Sequence, residues 1–265
     1  MKSDQLKSAP LKTCLIQAIF SPLLNIKSFI PEIQESLRRN GFPQLKTGKN
    51  KTVTFNKSID DPVIEEDDNW FFISLDNKDM VIINKTQFSF QTNAYTTFEA
   101  FITKYQTLLS IFFPIVDASS LVMQRLGLRY INVLKGEGWK DYLKSPYHGV
   151  SISDSYRYLD KPWMIGSTAQ GVTRIDDFGN TGLITIRVYQ NNKGKTVPLD
   201  VSYPVPQQSC GKGLVTFLDI DHIVQFNNSM SVKPEELGAY GKKLNDVSSK
   251  IFFDALTEKA LEEWK

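Results

Sequence analysis

The stretch Gln124–Asn132, Gln-Arg-Leu-Gly-Leu-Arg-Tyr-Ile-Asn, constrains the fold more than any other part of this chain. Side chains alternate between the two faces of a strand. Arg125, Gly127 and Arg129 therefore share one face, and Leu126, Leu128 and Tyr130 share the other. The apolar face fits a core or a surface against which helices pack. The arginine face needs either a ligand or counter-charges, because half-buried charges are normally paired. At about 3.3 Å per residue the two arginines stand roughly 13 Å apart. The glycine between them is of a kind that marks a bulge, or the close approach of a ligand or another backbone. Guanidinium groups suit carboxylate and phosphate because they donate two parallel hydrogen bonds.

Counter-charges exist elsewhere in the chain. In Leu214–Val224, Asp219 and Asp221 share a face with Phe217 and Ile223. In Gly182–Gln190, Arg187 shares the face of Leu183, Thr185 and Tyr189, and Arg174 lies near the end of the preceding strand. Arg125, Arg129, Arg174, Arg187, Asp219 and Asp221 are the candidate binding residues. Two readings stand side by side: a structural network that neutralises itself, and a polar cavity that recognises phosphate or a nucleotide. The carboxylates of a D-x-D on one strand lie roughly 7 Å apart, within reach of one Mg²⁺. The pattern is common by chance, and His222 alternates to the other face. No metal site and no cofactor are assigned.

The usual catalytic sets are missing from the sequence. His148 and His222 are its two histidines, it has no G-x-S-x-G, and neither Cys14 nor Cys210 has a nearby base. Gly211-Lys212-Gly213 and Gly136-Glu137-Gly138 read as turns; the first lacks the spacing of a P-loop. No catalytic residue is assigned, and the reading leans away from an enzyme. Lys plus Arg number 31 against 29 Asp plus Glu, so charge gives no support to bulk binding of nucleic acid or anionic membrane. Trp70, Phe71, Phe72, Phe88, Phe90, Tyr95, Tyr156, Tyr158 and Trp163 could stack on bases. Without a basic surround, they read as core. Cys14, in an apolar run, reads as a buried, inert thiol. The polar residues Met1–Pro10 carry no apolar signal core, and Pro114 interrupts the most hydrophobic run, Leu108–Val116. The expectation is a cytoplasmic protein with no membrane span.

Periodicity orders the elements. Thr13–Phe20 reads as a strand, followed by a helix over Phe29–Asn40 with Ser28 as N-cap and Pro31 in its first turn. Strands are expected at Thr52–Asn56, Trp70–Leu75, Met80–Asn84 and Thr86–Gln91, with Asp60–Asn69 as a solvated loop. Thr96 or Thr97 caps a long helix, Phe98–Phe113. The second half repeats this order. A strand at Val122–Leu134 leads to a short helix near Trp139–Leu143, then strands at Met164–Asp176, Gly182–Gln190 and Gly213–Phe226. The first two of these form a hairpin through Asp177–Asn180, and Asn191–Lys212 is a long connection. A terminal helix runs from Pro234 to Trp264, broken around Gly238 and Gly241. The fold class is α+β: two similar strand-helix-meander-helix halves, 1–118 and 119–265, in antiparallel sheets backed by long helices. The TATA-binding protein is similar in element order alone.

The motif Arg125–Asn132, with the aromatic-rich helix before it and the later Asp219-Ile220-Asp221 strand and C-terminal helix, resembles a sporadically distributed bacterial family of conserved hypothetical proteins. Pro10-Leu11 and Phe42-Pro43 also fit. The resemblance implies a bacterial origin and, through its patchy distribution, a phage-defence or toxin–antitoxin setting. It brings no established reaction. A histidine expected in the last helix is absent near Leu244–Ser248. The functional expectation is a non-enzymatic binding or regulatory protein, acting through a protein partner or as a homo-oligomer. A phosphate- or nucleotide-recognising module and a nucleic-acid-binding sheet are the alternatives.

Overall fold

The computed structural model describes residues 6, 8–54, 63–135, 137–148, 166–176, 180–191, 215–230 and 233–265. Its frame is a nine-stranded sheet, antiparallel at every pairing among these residues. The strands are β1 (Leu11–Phe20), β2 (Gln44–Thr54), β3 (Val63–Ile73), β4 (Asp79–Asn84), β5 (Gln87–Thr92), β6 (Met123–Lys135), β7 (Gly166–Arg174), β8 (Thr181–Asn191) and β9 (Val215–Met230). Across the sheet they run β2-β3-β4-β5-β1-β6-β9-β8-β7. Four α-helices accompany them: α1 (Ile26–Arg39), α2 (Phe98–Val116), α3 (Pro234–Ala255) and α4 (Glu258–Trp264). The α+β class with a large antiparallel sheet is thus established. β1 and β6 pair at its middle, so the sheet passes without interruption from residues before 118 to residues after it.

Alternation decides what each face of the sheet meets. Cys14, Ile16, Ala18 and Phe20 of β1, Phe88 and Phe90 of β5, and Leu126, Leu128 and Tyr130 of β6 join one buried cluster with α1, α2 and the start of α3. The aromatic face of α2 fills it: Phe112 lies 4.8 Å from Phe88 between ring centroids, and Phe101 stacks on Phe90 at 5.3 Å. Each such ring contributes about 1.5–3 kcal/mol through burial. Cys14 is fully buried here, and desolvation raises its thiol pKa well above the ordinary value, only partly offset by a hydrogen bond with Tyr130. Trp70, Phe71, Phe72, Phe88 and Phe90 are all buried, as core packing requires. Tyr156, Tyr158, Trp163, Cys210 and the expected 191–212 connection lie outside the described residues or at their border. No helix among the described residues is long and apolar enough to cross a membrane.

Several boundaries differ from the sequence expectation, each for a local reason. Helix α1 begins at Ile26, not Phe29, because Ile26 extends the stripe Ile30, Ile33 and Leu37 into the core. Pro31 therefore lies inside the helix, and the Ser28 hydroxyl donates to the Asn25 carbonyl at 2.8 Å instead of capping. The acidic run before Asn69 is not a loop in its described part. Val63–Ile73 is a strand paired along its length with β2, and Lys49 answers Glu66 at 2.9 Å. The Thr97 cap on α2 is as expected, its hydroxyl accepting from the Ala100 amide at 3.1 Å.

The terminal helix is not broken at its glycines. Gly238 and Gly241 sit where α3 crosses α2: a Cβ at Gly238 would stand 2.1 Å from Gln106 Nε2, and one at Gly241 would stand 2.9 Å from Ile102 Cδ1. The absent side chains permit the crossing. The break falls instead at Leu256, which bridges to Leu143, and the Thr257 hydroxyl starts α4 by accepting from the Ala260 amide at 3.3 Å. Trp264 stacks on Tyr142 of the same chain, with ring centroids 5.3 Å apart.

Candidate functional site

The face of the sheet turned away from the helices carries the arginine strand. Register places Gln91, Leu15, Arg129, Asp221, Thr185 and Gln170 in one row across β5, β1, β6, β9, β8 and β7. The next row toward one end brings Ile131, Asp219 and Arg187 abreast. Two long-range strand pairings, β6–β9 and β8–β9, thus collect Arg129, Arg187, Asp219 and Asp221.

Asp219 is the anchor. Its carboxylate is fully buried and accepts two hydrogen bonds from Arg129, Nε to Oδ1 at 2.8 Å and Nη2 to Oδ2 at 2.6 Å. Arg129 is itself only 11% exposed. Arg187, 34% exposed, reaches the same carboxylate with Nη1 at 3.4 Å and Asp221 at 3.9 Å. The two-pronged bond to Arg129 has the geometry of a strong charge-assisted pair. Asp221 has no such close partner. Burial raises its carboxyl pKa; Arg129 lowers it, Asp219 raises it, and Arg187 and Arg125 lower it, with a net upward result.

That direction yields a test. A carboxyl whose pKa is raised in the fold costs stability where it is charged, above its folded pKa, and costs nothing below the ordinary value of 3.8. Asp221→Asn is expected to be as stable as wild type or slightly more so at pH 7. Its advantage should vanish as the pH falls toward 3.8. Urea unfolding at several pH values reads this directly; a clear loss of stability at pH 7 would mean that the Arg187 contact outweighs burial.

Arg125 and Arg174 are placed differently. Arg125 has no carboxylate against it among the described contacts; its Nη2 donates to Gln17 Oε1 at 2.5 Å, and Gln17 in turn donates to Gln87 Oε1 at 2.9 Å. Its buried Nε has no hydrogen-bond partner, nor do the buried Ser89 Oγ and Gln91 Oε1 on the same face of β5. Arg174 points to this face too, in the row of Gln225 and Arg125, four residues along β7 from the row of Asp221. It is exposed and lies away from the Arg129–Asp219–Arg187 cluster.

At Gly127 the near neighbour is a side chain of β9: Ile223 Cγ2 would lie 3.2 Å from an added Cβ. The glycine makes room for a side chain of β9. The register shift of β6 lies further back, between Met123 and Arg125.

His222 faces the helices. Its Nδ1 lies 3.1 Å from the Leu244 carbonyl and its Nε2 2.8 Å from the Thr173 hydroxyl. A carbonyl only accepts, so Nδ1 carries the proton and Nε2 accepts from Thr173. Burial lowers its pKa, with the Leu244 bond pulling the other way. Among the described residues no three His, Cys, Asp or Glu side chains gather as metal ligands would. Sequence reading missed Gln17, Ser89 and Gln91, the polar residues that border the arginines. The alternation of β1 and β5 puts them on the right face, but only the β5-β1-β6 strand order makes them neighbours. No protein-family profile and no curated protein matches the chain.

Proposed function

We propose that this chain is a non-enzymatic binding protein that engages a protein partner by adding a strand to β7. The observation that carries the reading is the contrast between the two edges of the sheet. Edge strand β2 holds Lys46 and Lys49, the charges with which proteins guard an edge against pairing. Strand β7, Gly-Ser-Thr-Ala-Gln-Gly-Val-Thr-Arg, is the other edge among the described residues; it has no charge before Arg174, no proline, and is mostly exposed. Val172 is 76% exposed, and Leu183 of β8 beside it adds exposed apolar surface. An open edge of this kind binds an extended segment through main-chain hydrogen bonds.

A second copy of the chain is one such segment. Antiparallel self-pairing centred on Gln170 sets Arg174 against Gly166 and brings no like charges together. The same operation on β2 would set Lys49 against Lys49. Replacing Gln170 and Val172 together with lysine is expected to abolish self-association in sedimentation, or capture of a recurring partner from the native host, with little change in Tm. Association that survives both lysines would remove β7 from the account.

The phosphate- or nucleotide-recognising alternative draws less support, since the buried Asp219 carboxylate already accepts two hydrogen bonds from Arg129 and neutralises it. The two halves are read as related units. In support, their first strands β1 and β6 lie side by side, each flanked by the last strand of its own meander, β5 and β9. The family resemblance implies a bacterial setting in phage defence or a toxin–antitoxin pair, which gene neighbourhood tests.

A further inference from the structure

A cavity of about 280 Å³ lies on the helix side of the sheet, between β1, β6 and α3. Its size is close to the low end of the roughly 300–1,000 Å³ typical of small-molecule sites. Among the described residues its lining carries no charge: Tyr95, Tyr130, Asn132, Ser248, Ser249 and Phe252 supply most of that wall, with Thr96, Leu6, Ala9 and Leu11. An anion or cation would find no counter-charge among these residues and would leave water at high cost. A neutral molecule would not.

The polar groups of the wall are unevenly engaged. The Tyr130 hydroxyl donates to Asn245 Oδ1 at 2.8 Å, and Ser249 Oγ donates to the same oxygen at 3.0 Å. Asn132 gives its amide nitrogen to the Leu218 carbonyl at 3.1 Å, so its amide oxygen is the acceptor it has to offer. Ser248 is 1% exposed, and its buried Oγ has no hydrogen-bond partner. A helical serine ordinarily satisfies itself by bonding the carbonyl four residues back. Here that carbonyl, Leu244 O, already accepts from His222 Nδ1. The aromatic walls are fixed in turn: the rings of Tyr95 and Tyr130 meet edge to face at 5.9 Å.

From the uncharged lining, the aromatic walls and the unsatisfied Ser248 hydroxyl, we infer that this cavity is a binding site for a small neutral heteroaromatic molecule. Its size admits a one- or two-ring compound that carries both hydrogen-bond donors and acceptors, the chemistry of a free nucleobase. The site is separate from the arginine face, which lies on the other side of the sheet, and from the β7 edge. Its occupant therefore tests a property that does not depend on the partner proposed above.

Isothermal titration with adenine, hypoxanthine and indole as probes decides the matter. At least one is expected to bind the wild-type protein saturably at millimolar concentration or below. Ser248→Ala should weaken binding of the hydrogen-bonding probes by up to about tenfold while leaving indole less affected, since one neutral hydrogen bond is lost. Thr96→Trp, a change at an exposed position on the rim, should abolish binding of all three without loss of Tm. No saturable binding by any probe would overturn the assignment, showing a cavity that holds solvent only. Binding unchanged in both variants would overturn it equally, by placing the probes elsewhere.

Discussion

Asp219→Ala is expected to lower the unfolding free energy by about 3–5 kcal/mol, because it takes the buried counter-charge from a mostly buried guanidinium. Arg129 would keep its 11% exposure and lose both of its hydrogen bonds to the carboxylate. Arg187 would lose its 3.4 Å contact at the same time. The double variant Arg129→Met/Asp219→Leu should recover most of this loss. An apolar pair of similar volume needs no desolvated charge, and it would sit beside Ile131 and Phe217, which already form an apolar cluster on that face. Urea denaturation of the wild type, both single variants and the double variant closes the cycle. A cost below about 1 kcal/mol for Asp219→Ala, the range of an exposed pair, would show that the pair stabilises little and leave the arginines free to serve a ligand. The measurement thus bears on function as well as on stability.

Gly182→Ala should also be strongly destabilising, which reverses the usual expectation for a strand. Replacing a strand glycine normally removes an entropic disadvantage. At Gly182 the new methyl carbon would stand 2.2 Å from Thr173 Oγ1, 2.8 Å from His222 Nε2 and 2.8 Å from Ile175 Cδ1. It would enter the Thr173–His222 hydrogen bond itself. Overpacking of about 1–3 kcal/mol adds to a buried donor or acceptor left unsatisfied, about 1–3 kcal/mol more. A combined loss of roughly 2–6 kcal/mol is expected by the same two principles. Thermal unfolding of Gly182→Ala and of Gly182→Ala/Thr173→Ala tests the account, since the second variant removes the closest obstacle and should regain stability. Equal instability of the two would point to Ile175 or the backbone instead.

Much of the sheet was legible because alternation is a local signal. The facing of Arg125, Arg129, Arg187, Asp219 and Asp221 follows from counting by twos, and His222 falls on the other side by the same count. Strand order is not local. Nothing in β1 announces that it lies between β5 and β6, and so the partnership of Gln17 with Arg125 could not be read. Arg174 has the right parity but the wrong distance along its strand, a matter of register that hairpin length alone decides. The acidic run before Asn69 looked like a loop because acidic residues are poor strand formers. Pairing with β2 makes it a strand, with Lys49 of β2 answering Glu66 while Lys85 and Lys27 answer Asp67 and Asp68. Helix glycines read as breaks because propensity is the sequence-level signal, whereas Gly238 and Gly241 answer to the approach of another helix.

The position of β9 between β6 and β8 has a consequence for the order of events during synthesis. The ribosome delivers β6 roughly ninety residues before the strand that will cover its free side, and non-local pairing of this kind is slow. Throughout that interval β6 is a temporary edge, thirteen residues long and rich in Leu, Ile and Val. Arg125 and Arg129 are then charges on an uncovered strand, the arrangement that discourages pairing with other chains. The aspartate that later neutralises Arg129 travels on β9 itself, so the protection ends only when the correct strand arrives. A charge pair that reads as static in the finished sheet is, in the growing chain, a lock that admits one key.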